Sequence, residues 1–118
     1  METIAKIIGI LFMSRTYSHM AHLKTSSYSK HKALNKFYDE IVDLTDELAE
    51  AAQGRYGKLD IPYIDLKGDV NDPVKGLESH LTMIQNLTKK CEDRTLGAIA
   101  DTINAQYLKT LYLLKELD

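Results

Sequence analysis

The sequence predicts an all-α protein: a four-helix bundle whose second and third helices are joined by a long crossover. Three observations carry that expectation. Apolar residues recur at three- and four-residue spacing in four separate stretches, the pattern of amphipathic helices. Only 2 prolines and 6 glycines interrupt the 118 residues, and Gly54, Gly57, Gly68 and Gly76 all fall in one central region. Helix-favouring residues dominate elsewhere, so long helices flank a single irregular segment. The chain is long enough for one core and too short for two, giving a single domain over 1–118.

The first helix is expected near residues 3 to 23. Ile4, Ile8 and Leu11 share one face at about 100° per residue, and Arg15, Ser18, His19 and His22 continue it, so the inward stripe turns polar in its last two turns. The apolar run from Ile7 to Met13 is short for a secretion signal, follows Glu2 and lacks a small-residue cleavage pattern, so it reads as a buried helix face. A second period starts near Tyr28 and should reach 53, with Leu34, Tyr38, Ile41, Thr45, Leu48 and Ala52 inward. The short connection around Thr25, Ser26 and Ser27 makes the two helices antiparallel neighbours, which sets His19 level with His31. A stop is expected at Gly54 to Gly57.

Residues 55 to 71 mix Pro62 and Gly68 with the apolar Leu59, Ile61, Ile64 and Leu66. A connection of that length must travel along the bundle, pinned by those side chains to the bundle surface or to another subunit. Asp72 as N-cap and Pro73 at the first helical position open a third helix near 73 to 92, with Leu77, Leu81, Ile84, Leu87 and Cys91 as its stripe. The fourth, near 95 to 117, carries Leu96, Ile99, Ala100, Ile103, Tyr107, Thr110, Leu111 and Leu114. Gly97 argues for a boundary beside it, since glycine costs roughly 1 kcal/mol in a helix interior.

Composition removes several classes of function. A balance of 15 basic and 17 acidic residues gives net charge -2 and no general attraction to phosphate backbones, so no strong nucleic-acid signal exists. Lys24, Lys30, Lys32 and Lys36 make only a local basic patch, suited to an anionic partner or to solvent. Cys91 is the one cysteine; with no internal disulfide open to it, it reads as a small core hydrophobe in a reducing compartment. Nothing approaches the ~20 apolar residues of a membrane span, and a cytoplasmic location is expected. Zinc-type cysteine pairs, a phosphate-cradling glycine loop and a helical His-Glu-x-x-His are all missing.

What remains is a constellation in residues 18 to 53. His19, His22 and His31 precede a row of carboxylates, Asp39, Asp43, Asp46 and Glu50, on one flank of the second helix. Asp46 and Glu50, at i and i+4, can grip one ion. They cannot share it with His31 of the same chain, because fifteen residues at about 1.5 Å rise is roughly 22 Å. If histidines and carboxylates form one metal site, two chains build it, and at least a two-fold dimer is expected. The plain alternative is a solvated acidic face and hydrogen-bonded histidines at a helix end.

The spacing of His19, His31, Asp46 and Glu50 resembles the inter-subunit ferroxidase motif of the Dps (DNA protection during starvation) branch of the ferritin-like superfamily. Phe37, Asp43 and the run from Asp46 to Glu50 are also similar to that family's second helix. The resemblance implies a ferritin-like bundle in which His19 and His31 of one subunit face Asp46 and Glu50 of its two-fold mate, bind iron and oxidise ferrous ion, in a homo-oligomer that extends to a cage in that family. Other divalent metals suit the same donors. Around these ligands stand His22, Asn35, Asp43 and Tyr28, and Tyr17 and Tyr28 lie close enough along the helices to pass electrons. The chain departs from the family at Met20, where an aromatic residue is usual, at Asn35, where a further acid is usual, and at Lys24 in place of a glycine. A ferritin-type site inside the bundle is disfavoured, because His80 has no Glu three residues before it and the fourth helix has no histidine. The competing expectation is a non-catalytic ferritin-like module for assembly or protein binding, of the kind carried by bacterial viruses.

Overall fold

A computed structural model describes residues 1–117 and contains four helices, α1 (Glu2–Lys24), α2 (Tyr28–Tyr56), α3 (Pro73–Thr88) and α4 (Arg94–Glu116). At about 1.5 Å per residue the 29 residues of α2 span roughly 43 Å. That equals the longest dimension of the molecule, 43 × 23 × 21 Å, so α2 runs its full length. Among the described residues there is no strand, and no helix is long and apolar enough to cross a membrane.

The expected Asp72 cap operates, Ser27 and Asp93 cap α2 and α4 in the same way, and two helix ends are shifted. The Ser27 side chain accepts the Lys30 N–H at the start of α2, Asp72 accepts that of Lys75 at the start of α3, and Asp93 accepts that of Leu96 at the start of α4. The second helix passes through Gly54 and stops at Gly57, whose φ of +85° is the conformation in which only glycine is at ease. The third helix ends at Thr88, a turn before 92, because Lys90 and Cys91 donate to Leu87 and Thr88, three residues back, and tighten the chain out of the α register. Cys91 thus lies just past the helix, half-buried and free, its thiol donating to the Asp93 carbonyl at 3.6 Å.

Each helix packs on two others: α1 and α4 both contact α2 and α3. The short turn makes α2 antiparallel to α1, and the crossover then carries the chain back to the turn end. There the Tyr17 hydroxyl donates to the carbonyls of Asp69 (2.7 Å) and Asp72 (3.1 Å), so α3 starts beside the end of α1 and runs parallel to α2. At the opposite end Arg55 meets Asp93 at 2.6 Å, where α4 begins its return. The Asp93 carboxyl is held below the usual carboxylate range, first by the Leu96 N–H and also by that guanidinium. The expected long crossover is therefore present, and it sets α3 parallel to α2.

Two glycines let the crossover and α3 close on α1. A Cβ at Gly9 would meet the Pro62 carbonyl and, at 3.0 Å, the Ile64 side chain; one at Gly76 would run into the ring and hydroxyl of Tyr17. Leu59, Ile64 and Leu66 pack partly buried against the core, while Ile61 and Tyr63 face outward. Between the helices Ile7, Ile8, Leu11, Leu34, Phe37, Ile41, Leu48, Leu77, Ile84 and Ile103 are fully buried. Ser18 and Thr45 return their hydroxyls to the carbonyls four residues back and so sit in this core without an orphaned proton. One polar chain crosses it: Tyr107 on α4 donates to Ser14 Oγ on α1 at 2.6 Å, and Ser14 lies 2.8 Å from His80 Nδ1 on α3. The Ser14 oxygen accepts from tyrosine and shares a hydrogen bond with Nδ1 of His80, whose burial favours the neutral imidazole.

Two measurements check this packing. Gly76→Ala should lower stability by about 1–3 kcal/mol in urea unfolding, since Tyr17 is anchored and cannot retreat, whereas Gly54→Ala, with open space at its Cβ, should raise it by up to about 1 kcal/mol. Burial lowers the pKa of His80 from 6.5 to about 4. As pH falls below 6.5 the unfolded chain takes a proton that the native state refuses. The stability tied to this group is therefore complete above pH 6.5, declines down to about pH 4 and changes no further, a loss on the order of 2–3 kcal/mol. Melts of the wild type and His80→Asn at pH 7 and pH 5 should show the smaller acid loss in the variant.

Candidate functional site

The α1–α2 hairpin positions every side chain of the constellation. Its tight turn sets His22 directly across from His31. His22 Nδ1 lies 2.6 Å from the His31 carbonyl and His31 Nδ1 lies 2.8 Å from the His22 carbonyl, while the two rings stack with centroids 3.6 Å apart and 22° between planes. A carbonyl can only accept, so each Nδ1 carries the proton, and in the neutral rings each Nε2 keeps its lone pair. The clasp also satisfies a carbonyl in the last turn of α1, which has no partner within that helix.

The register moves His19 away from His31. Across an antiparallel pair, stepping back three residues on α1 from His22 advances the partner on α2 beyond residue 31. His19 accordingly stacks on Tyr38 at 4.4 Å, with Arg15 5.2 Å from the same ring. The expectation that His19 and His31 lie level is corrected: His22 takes that place, and His19 lies one turn further along, its ring 5.9 Å from that of His22. Lone pairs lie in the plane of an imidazole, so the stacked rings of His22 and His31 cannot aim both Nε2 atoms at one ion. His22 is thus the residue that orients His31. Tyr28 projects outward, 73% exposed, its ring 6.3 Å from that of His31. Asn35 accepts from the Tyr38 hydroxyl at 2.6 Å and donates to Asp39 at 3.2 Å. Tyr17 leaves the constellation altogether: it points to Gly76 and the crossover, and burial, then Asp72 and Asp69, push its phenol up to about 12.

Asp43, Asp46 and Glu50 stand exposed along α2, without a hydrogen bond or ion pair among the described residues. Within one chain the histidines occupy the turn end of the hairpin and these carboxylates its other half. Among the described residues no three His, Cys, Asp or Glu side chains come together to hold a metal. Sequence reasoning missed the Tyr107–Ser14–His80 chain. Its signal was a serine at the next inward position of the Ile7, Leu11 stripe, but that chain is buried and serves packing.

Residues 22–114 match the model of a family described as "Family of unknown function (DUF5856)". The chain is also 30% identical over 108 residues to the "Uncharacterized 14.6 kDa protein in mobD-ri intergenic region" of Enterobacteria phage T4, which covers 91% of this chain and 84% of that protein. No solved structure matches it. The family match takes in His22, His31, Asp46 and Glu50 and starts after His19. Spanning all of α2 and α3, the crossover between them and α4 as far as Leu114, it places this chain in the DUF5856 family.

Proposed function

We propose that the protein is a Dps-like homo-oligomer that takes ferrous iron as substrate between two chains, bound by His31 and His19 of one and by Asp46 and Glu50 of the other, and oxidises it. One observation carries the reading: the outward side of a single hairpin presents a proton-fixed imidazole at one end and unpaired carboxylates at the other, which only a second chain can bring together. The donor chemistry fits. Imidazole nitrogen and carboxylate oxygen suit ferrous iron, and carboxylates favour the ferric product. A backbone carbonyl on the Nδ1–H of His31 is the kind of support that orients metal-binding imidazoles. Electrons pass from the bound iron to oxygen or peroxide, and protons compete for the same lone pairs, so acid should release the ion.

The second reading is an assembly or protein-binding module without turnover. It is favoured by the His22–His31 clasp, which already gives both imidazoles a structural task, and by the stacking of His19 on Tyr38.

Anaerobic ferrous titration followed by peroxide separates the two. The wild type should bind and oxidise iron, while His31→Ala and Asp46→Ala should each lose most of the binding. Refolding those two variants together should restore roughly a quarter of the sites, because a mixed two-fold dimer holds one intact site and one doubly broken site. A wild type that binds no iron, or variants that bind it unchanged, would leave only the assembly module.

A further inference from the structure

We infer that the crossover is a docking edge for an extended segment of a partner protein, added antiparallel to residues 63–68 as a second strand. Ile61, Tyr63, Asp65 and Lys67 face solvent while Ile64 and Leu66 turn towards the core, the two-residue alternation of extended backbone. A strand needs a neighbour, and this one has none: among the described residues no N–H of 63–68 donates a hydrogen bond and no carbonyl of 58–68 accepts one. A row of unpaired backbone donors and acceptors is a template for another extended chain, which pairs with it and takes its specificity from alternate side chains. The fully exposed Tyr63 and the half-exposed Ile61, two residues apart on the outward side, supply apolar contacts for such a chain.

Charge decides what the added segment carries. Beside the end of the edge, between the crossover and α3, lies a cleft of about 480 Å³. Gly68 and Gly76 leave its walls partly bare of side chains, and Lys67 and Lys75 both line it. Neither lysine has an ion pair among the described residues. The two carboxylates at the cleft are engaged, Asp69 by the backbone and side-chain amides of Asn71 and Asp72 by the Lys75 N–H. The segment that fits is therefore acidic where it meets Lys67 and the cleft, basic opposite Asp65, and apolar opposite Tyr63 and Ile61. A second copy of the crossover lacks that complementarity. Paired antiparallel with Tyr63 opposite its own mate, it sets Asp65 against Ile61 and Lys67 against Leu59, and the shift that brings Asp65 to Lys67 leaves Tyr63 facing Asp69. The edge needs neither iron nor the two-chain site.

The test uses the full chain with the end-blocked peptide Glu-Thr-Lys-Thr-Val-Thr-Val and its charge-reversed control Lys-Thr-Glu-Thr-Val-Thr-Val, followed by amide resonances and hydrogen exchange. In the free protein the amides of 63–68 should exchange quickly at every protein concentration. The first peptide should shift these resonances and, at saturation, slow their exchange on the order of tenfold, and the control should bind about tenfold more weakly. Asp65→Lys and Lys67→Glu made together should reverse that preference, and Tyr63→Ser should weaken both peptides with helical circular dichroism unchanged. Amides that neither shift nor slow, or a preference that survives the charge swap, overturn the inference. So does protection that grows with protein concentration in the absence of peptide, which assigns the edge to a second copy.

Discussion

The arrangement of the bundle depends on one anchor, the Tyr17 hydroxyl held between the carbonyls of Asp69 and Asp72. Because α2 runs the full 43 Å of the molecule, its end lies far from where α3 begins, and the chain must come back the whole way. Residues 57–72, which can reach roughly 50 Å when extended, do so with little slack. Tyr17 catches that return where it becomes helical again, and Gly76 supplies the notch that the ring fills. Without the anchor, a reversal at Gly57 into an antiparallel third helix would be the shorter route, and the pairing of helices would differ.

A second constraint, the histidine clasp, acts at the same end on the other helix pair. It fixes which residue of α1 faces which residue of α2, and the candidate site inherits its geometry from that choice. His22 engages His31 through Nδ1 and ring face and leaves its Nε2 lone pair uncommitted, while His19 stacks on Tyr38 one turn along. Among the described residues no cation forms an ion pair with the carboxylates on α2.

Most of the fold was legible in the sequence because helical period and capping are local signals. The start at Asp72, the stripes of all four helices and the long crossover needed only neighbouring residues. Errors arose where tertiary geometry decided. Gly54 was as good a stop as Gly57 until the backbone took its positive φ at the latter. The end of α3 depended on where the chain turned towards Asp93. In the site, residue types and spacing were legible, but the level of His19 against His31 was not, since a shift of one turn in an antiparallel pair leaves both amphipathic patterns intact. The buried chain from Tyr107 to His80 joins positions 93 and 66 residues distant from Ser14, beyond the reach of any periodicity.

That chain has a consequence for how uniquely the sequence encodes its fold. Four greasy helices can slide or rotate against one another at little cost, because aliphatic side chains repack in many ways. A directional relay from α4 through α1 to α3 removes that freedom: shifting any of the three by one residue would strand a phenol, a hydroxyl or an imidazole in a dry interior. Ser14, Tyr107 and His80 thus act as a proofreading device among competing bundle registers, and their value lies in the alternatives they forbid.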